Sequence, residues 1–173
     1  MPYSIERMAT PEFIKSLREK IGTDLLQVPT ATVLAYDDQG RLLLVKNIAS
    51  GLWGPPSGIV DPNELPSDAA VREAWEEAGV FVELTHILGV FAGMHFSGVY
   101  PNGDQLSVVA TVFAGKLISG MPRADHEETS DARFFYTSEI ENLSCYPHFH
   151  AIRQASSQSQ PYFKPATWRP HGL

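Results

Sequence analysis

The chain predicts an α/β (α+β) domain, a mixed β-sheet covered by helices, on three observations. Runs that read as strands recur between turn signals from Thr30 to Tyr136. One helix-patterned segment near 68–78 interrupts them, and further helical signals stand at the two ends. With 173 residues, 43% of them hydrophobic and 19% charged, the chain suits one globular unit with a sizeable core. No internal repeat and no second domain is visible.

The elements follow in order. Thr10 as N-cap, Pro11 at the first helical position, a stripe of Phe13, Ile14, Leu17 and Ile21, and Gly22 as the stop predict a first helix. It is expected to pack on the main body or on a second subunit. Thr30–Tyr36 reads as a strand, Asp37-Asp38-Gln39-Gly40 as a turn and Arg41–Lys46 as the returning strand of a hairpin. Asn47 to Pro56 is a loop punctuated by Gly51, Gly54, Pro55 and Pro56. Trp53 in its middle has two readings, a packing anchor or a platform for a nucleobase. The loop runs on to Pro66, and Ser67 caps a helix over Asp68–Ala78 that stops at Gly79.

Strands are expected at Val80–Leu84, His86–His95 and Gln105–Leu117, the last two joined across the turn Pro101-Asn102-Gly103-Asp104. Tyr100, Asn102 and Asp104 are candidate substrate contacts at that turn, although turn chemistry accounts for them equally well. Ile118 to Ser130 is a loop ending in His126-Glu127-Glu128, and Ala132–Tyr136 is a short strand. Ser138 with Glu141 forms a capping box for a brief helix, and Pro147 opens another turn or two through Phe149 and Ile152. His148 and His150 are spaced by two, which puts them on different helix faces and argues against a metal pair. Residues 156–173, rich in Ser, Gln and Pro, read as an extended tail laid on a surface by Tyr162, Phe163 and Trp168.

Charge excludes some functions. A net charge of −7 and a pI near 5.3 disfavour broad contact with nucleic acid or an anionic membrane. The single cysteine, Cys145, cannot form an internal disulfide, and the N-terminus shows no apolar core of a signal peptide; a reducing, cytoplasmic location is the expectation. Nothing around Cys145 suggests an activated thiol. No apolar run approaches the ~20 residues of a membrane span.

The richest chemistry lies in Gly58 to Val80. On a helix Glu73, Glu76 and Glu77 stand at i, i+3 and i+4, so their carboxylates crowd one face and repel by a few tenths of a kcal/mol per pair. Glu76 and Glu77 also sit in the last turn, where the helix dipole disfavours anions. Val71, Trp75 and Ala78 are the expected packing stripe, which would hold the acids out towards a cation.

Gly58, five residues, Glu64, seven residues, then Arg72-Glu73-Ala74-Trp75-Glu76-Glu77-Ala78-Gly79-Val80 resembles the Nudix box of the MutT-type hydrolases. Seven fixed residues at fixed spacing would arise by chance in about one in a million chains of this size. The resemblance implies a Nudix-type mixed sheet sandwiched by helices over 28–145, with 1–27 an N-terminal helical extension and 146–173 a C-terminal helical turn and tail packed on the domain. It implies hydrolysis of a diphosphate bond in a nucleoside diphosphate linked to another group, such as a nucleotide sugar, with nucleoside triphosphates next. It implies Mg²⁺ or Mn²⁺ held by Glu76 and Glu77, with Glu73 a ligand or the base and the Gly58 carbonyl included. Arg72 would orient these carboxylates, with Glu64 its loop partner. The family's further ligand or base from a later loop falls on Glu127 or Glu128, and Glu128 suits the distance to Phe134.

Three positions depart from the family pattern: Ser57 where a second glycine is frequent, Asn63 where glycine often precedes the loop glutamate, and Ala74 at an aliphatic position. Asn tolerates left-handed backbone, so Asn63 keeps the turn feasible. The other readings are a Nudix-fold module that binds nucleotide without cleaving it, disfavoured by the repelling Glu76-Glu77 pair, and RNA 5′-end processing, disfavoured by the acidic charge. Homodimerisation is suggested by the N-terminal helix and aromatic tail outside the expected domain.

Overall fold

The computed structural model describes residues 10–100, 102–157, 160–162, 165, 166 and 168. Strands β1 (Leu26–Tyr36), β2 (Leu42–Asn47), β3 (Trp53–Gly54), β4 (Ser57–Ile59), β5 (Phe81–Phe91), β6 (Ser97–Val99), β7 (Gln105–Ser119) and β8 (Thr129–Phe135) form one mixed sheet. Its spine runs β3-β2-β1-β7-β5; β4 pairs with β1, β6 with β7 and β8 with β2. β1 and β7 are parallel from Leu26 opposite Leu106 to Tyr36 opposite Lys116, and the other pairings are antiparallel.

Residues alternate between two faces, as strand geometry requires. Val33, Ala35, Leu43 and Val45 meet helix α2 (Pro66–Ala78) on one side. Leu34, Leu42, Leu44 and Val112 meet helices α3 (Thr137–Ile140) and α4 (Pro147–Ser156) on the other, through Ile140, Phe149 and Ile152. Helix α1 (Glu12–Ile21) closes a third cluster of Ile14, Val28, Ile59 and Leu106, so it packs on the body of its own chain. Arg18 clamps its end there, donating to the carbonyls of Asp24 and Gln105 at 2.6 Å each.

Several boundaries differ from the sequence expectation. β1 starts at Leu26 and runs through Pro29, which has no N–H to donate but whose carbonyl accepts from the Val60 N–H at 3.1 Å. The two strands expected over 80–95 are one strand, β5, whose three register shifts against β7 break the alternation that sequence reading follows. β1 and β2 are joined by the expected turn, yet they share only the Tyr36–Leu42 pair as they diverge to different partners. Asp37 holds that turn by accepting from the Gln39 and Arg41 N–H groups and from the Arg41 guanidinium.

α1 begins at Glu12 with Pro11, rather than Thr10, at its cap. α2 begins at Pro66, whose fixed φ suits a first helical position, and this takes Ser67 inside the helix. The Glu139 carboxylate, not Glu141, takes the N–H at the start of α3, from Tyr136 at 2.6 Å. α4 is a full ten-residue helix. In the tail, the Tyr162 N–H donates to the Leu88 carbonyl at 2.7 Å and its ring stacks on Phe91; Phe163 lies outside the described residues. No described helix is long and apolar enough to cross a membrane.

Candidate active site

The buried face of α2 keeps Ala78, and in part Val71, of the expected stripe but not Trp75. It consists of Ala69, Ala70, Glu73, Ala74, Glu77 and Ala78, while Trp75 is 60% exposed. Four small side chains let the helix lie close on the sheet, and that closeness carries two carboxylates down to the β4 backbone. Gly58 is needed at this contact: a Cβ there would stand 1.8 Å from Glu73 Oε1. The Ser57 N–H donates to Glu77 Oε2 at 3.0 Å, and the Ser57 hydroxyl bonds that of Thr32 at 2.8 Å. Ser57, the departure from a second glycine, therefore keeps its backbone on Glu77. Asn63 takes the left-handed conformation (φ 68°).

Arg72 organises the acids. Its Nε and Nη2 grip the Glu64 carboxylate at 2.8 and 3.0 Å, Nη1 donates to Glu73 at 2.7 Å and Glu76 at 2.9 Å, and Nη2 also reaches the Ile59 carbonyl at 3.0 Å. The bond to Arg72 holds Glu64 below the usual carboxylate range. Burial dominates at Glu73 and pushes it up to about 7, against the pull of Arg72 and with the added repulsion of Glu76 and Glu128. Glu77 is also raised well above the usual carboxylate range, by burial and then by Glu73, with the Ser57 N–H opposing and Glu128 and Asp125 adding to the rise. Of the two buried carboxylates, Glu73 pairs with Arg72 and Glu77 takes the Ser57 N–H, while Glu76 is half-exposed.

The loop after β7 brings a fourth carboxylate near. Asp125 Oδ1 accepts from the N–H groups of Glu127, Glu128 and Thr129, which outweighs the effect of burial and holds its pKa low. Thr129, fully buried, lies 2.9 Å from the Glu77 carbonyl through its hydroxyl and ties this loop to the end of α2. Of the two loop glutamates, Glu128 is the one whose charge acts on both Glu73 and Glu77. Sequence reading missed Asp125 and Thr129; the tendency of Asp to accept from the backbone two residues on, here Glu127, is the signal that could have flagged Asp125.

Other candidates fall elsewhere. Trp53 is 8% exposed and packs edge-on against Phe135 at 4.9 Å, so it is core and offers no stacking platform. Tyr100 is half-buried against the α1 cluster, and burial pushes its phenol up to about 12. Asn102 and Asp104 bond each other at 3.0 Å, and Asp104 pairs with Arg18 at 3.6 Å. These three fasten α1, about five residues along β1 from Gly58, or ~16 Å at strand rise. Burial raises the Cys145 thiol, which keeps it inert. Among the described residues no three His, Cys, Asp or Glu side chains stand together as a group that could hold a metal ion; Arg72 and the Ser57 N–H bond the carboxylates here. The donor set is nonetheless all hard oxygen, which is chemistry that fits a hard divalent cation.

A glycine loop, an arginine gripping a loop glutamate, and two buried glutamates on a helix define a class, and comparison with known proteins agrees. The family model for the NUDIX domain matches residues 26–154, taking in α4 nearly to its end. The chain belongs to the Nudix hydrolases, the MutT-type pyrophosphohydrolases. It is 31% identical over 118 residues to a MutT-like protein of Streptomyces ambofaciens, covering 68% of this chain and 70% of that one. It is 33% identical over 104 residues to a putative 8-oxo-dGTP diphosphatase of Bacillus subtilis, covering 60% and 63%. Among solved structures, a MutT NUDIX hydrolase from Burkholderia pseudomallei aligns with a TM-score of 0.58 at 29% identity, over 78% of this chain and 99% of that one.

Proposed function

We propose that this chain hydrolyses the diphosphate bond of a nucleoside diphosphate linked to another group, such as a nucleotide sugar, with nucleoside triphosphates as the next class. The observation that carries this reading is the burial of Glu73 and Glu77 side by side against the β4 loop, an arrangement unfavourable for the fold alone. Glu76, Glu77, Glu73, the Gly58 carbonyl and Glu128 would hold Mg²⁺ or Mn²⁺. When bound, the ion neutralises the diphosphate and makes water a better nucleophile. The chain's own part is to place charge and accept a proton. Arg72 fixes the directions of Glu73 and Glu76, and Ser57 that of Glu77. A water oxygen bonds phosphorus, the bridging P–O bond breaks towards the departing phosphate, and the water's proton passes to whichever of Glu73 and the loop carboxylate Glu128 does not hold the ion.

The test is a screen of nucleotides and nucleotide sugars with Mg²⁺, reading released phosphate or monophosphate. Glu77→Gln should lower kcat on the best substrate by about 10³-fold, roughly 4 kcal/mol of barrier. Undiminished Mg²⁺-dependent turnover in that variant would sink the assignment.

A further inference from the structure

Beside the carboxylates lies an open groove of about 490 Å³ lined by Trp75, Glu76, Gly79, Arg123, Asp125 and His126. Its walls are the outer face of α2 and the loop at 123–126, which the Arg123 N–H pins to the Ala78 carbonyl at 2.8 Å. Trp75 presents its indole there at 60% exposure and has no ring partner among the described residues. The Arg123 guanidinium and the His126 imidazole likewise make no hydrogen bond or ion pair among the described residues, in a chain whose net charge is −7.

Each acid of the groove is engaged through one of its oxygens. Asp125 Oδ1 is taken by its own loop, and Glu76 is paired with Arg72. What faces an incoming molecule is therefore a flat aromatic surface and a set of donors, with the remaining oxygens of Glu76 and Asp125 beside them. The carbonyl end of α2, with Glu76 and Asp125 beside it, disfavours a further phosphate. A planar, uncharged ring with acceptor atoms on its edge suits both conditions, stacking on the indole and accepting from Arg123. Glu76 belongs to both the groove and the Arg72 cluster, so the groove adjoins the place where a chain of phosphates would be held.

We propose that this groove seats the nucleobase of the departing half of the substrate, so that the substrates best served are two nucleosides joined through a polyphosphate chain. The proposal rests on the diphosphate reading above and names the group beyond the scissile bond.

The test compares diadenosine tetraphosphate with ADP-ribose, whose departing half carries no ring of this kind. Trp75→Ala should raise KM for diadenosine tetraphosphate about tenfold with little change in kcat, and should shift the kcat/KM ratio of the two substrates towards ADP-ribose. Trp75→Phe, which keeps a stacking face, should restore most of that preference. If Trp75→Ala changes kcat/KM for both substrates by the same factor, the proposal is overturned. A second arm needs no turnover: a methylene-bridged diadenosine tetraphosphate analogue should quench the part of the tryptophan fluorescence that Trp75→Phe removes. A protein that cleaves no diphosphate yet shows this quenching would defeat the hydrolytic reading and keep the groove; turnover without the quenching would do the reverse.

Discussion

Beneath α2 the sheet meets Ala69, Ala70, Ala74 and Ala78, whereas beneath α3 and α4 it meets Phe149, Ile152 and Ile140, backed by Trp53, Phe91, Phe96 and Phe135. Small side chains bring a helix close, and large ones fill a gap between layers. On the first face closeness is what delivers Glu73 and Glu77 to the β4 backbone, so packing and chemistry are one arrangement there. On the second face the packing supports the fold and carries no acid. The two faces should therefore fail in different ways.

Phe149→Ala should destabilise most, by about 3–5 kcal/mol, since it empties a fully buried aromatic site. Thermal unfolding should show a midpoint roughly 10 °C lower. Turnover measured below that midpoint should stay within about twofold of wild type. Ala74→Leu should cost less, about 1–3 kcal/mol of overpacking, yet should lower kcat by about 10²-fold as the lifted helix draws its carboxylates from Ser57 and Gly58. If Ala74→Leu keeps full activity, closeness is not what the alanines provide and the contrast between the faces collapses.

The aromatic face also carries a pH signature. His148 is half-buried between the rings of Phe96 and Tyr146, and burial lowers it to about 4 from the usual 6.5. The unfolded chain binds the proton more readily, so stability is complete above about 6.5 and falls as pH drops towards 4, by roughly 1–2 kcal/mol after allowance for partial exposure. Denaturant unfolding across this window in wild type and His148→Phe should show the variant lacking that slope. An unaltered slope would place the titration elsewhere.

The acid cluster was legible in sequence because it is local: helix spacing sets Glu73, Glu76 and Glu77, and one loop brings Gly58 and Glu64. The packing stripe was not, because hydrophobicity ranks Trp75 for burial and glutamates for solvent, and α2 reverses both. Glu128 could be named from the family resemblance, but its support could not. The hydroxyl of Thr129 meets a carbonyl 52 positions away, a contact that no periodicity announces. The single strand β5 was read as two for a related reason, since its bulges are set by β7 rather than by its own sequence.

The contact at Tyr162 bears on solubility. β5 stands at the margin of the sheet, and its outer side shows Phe81, Ile87 and Val90. An exposed apolar margin is a template on which another chain can add a strand. Tyr162 pairs with Gly89 and so occupies part of that template with the protein's own tail, from beyond the stretch that the family shares. The blocking segment can thus change in sequence without touching the chemistry at α2, and aggregation resistance and catalysis are free to evolve separately.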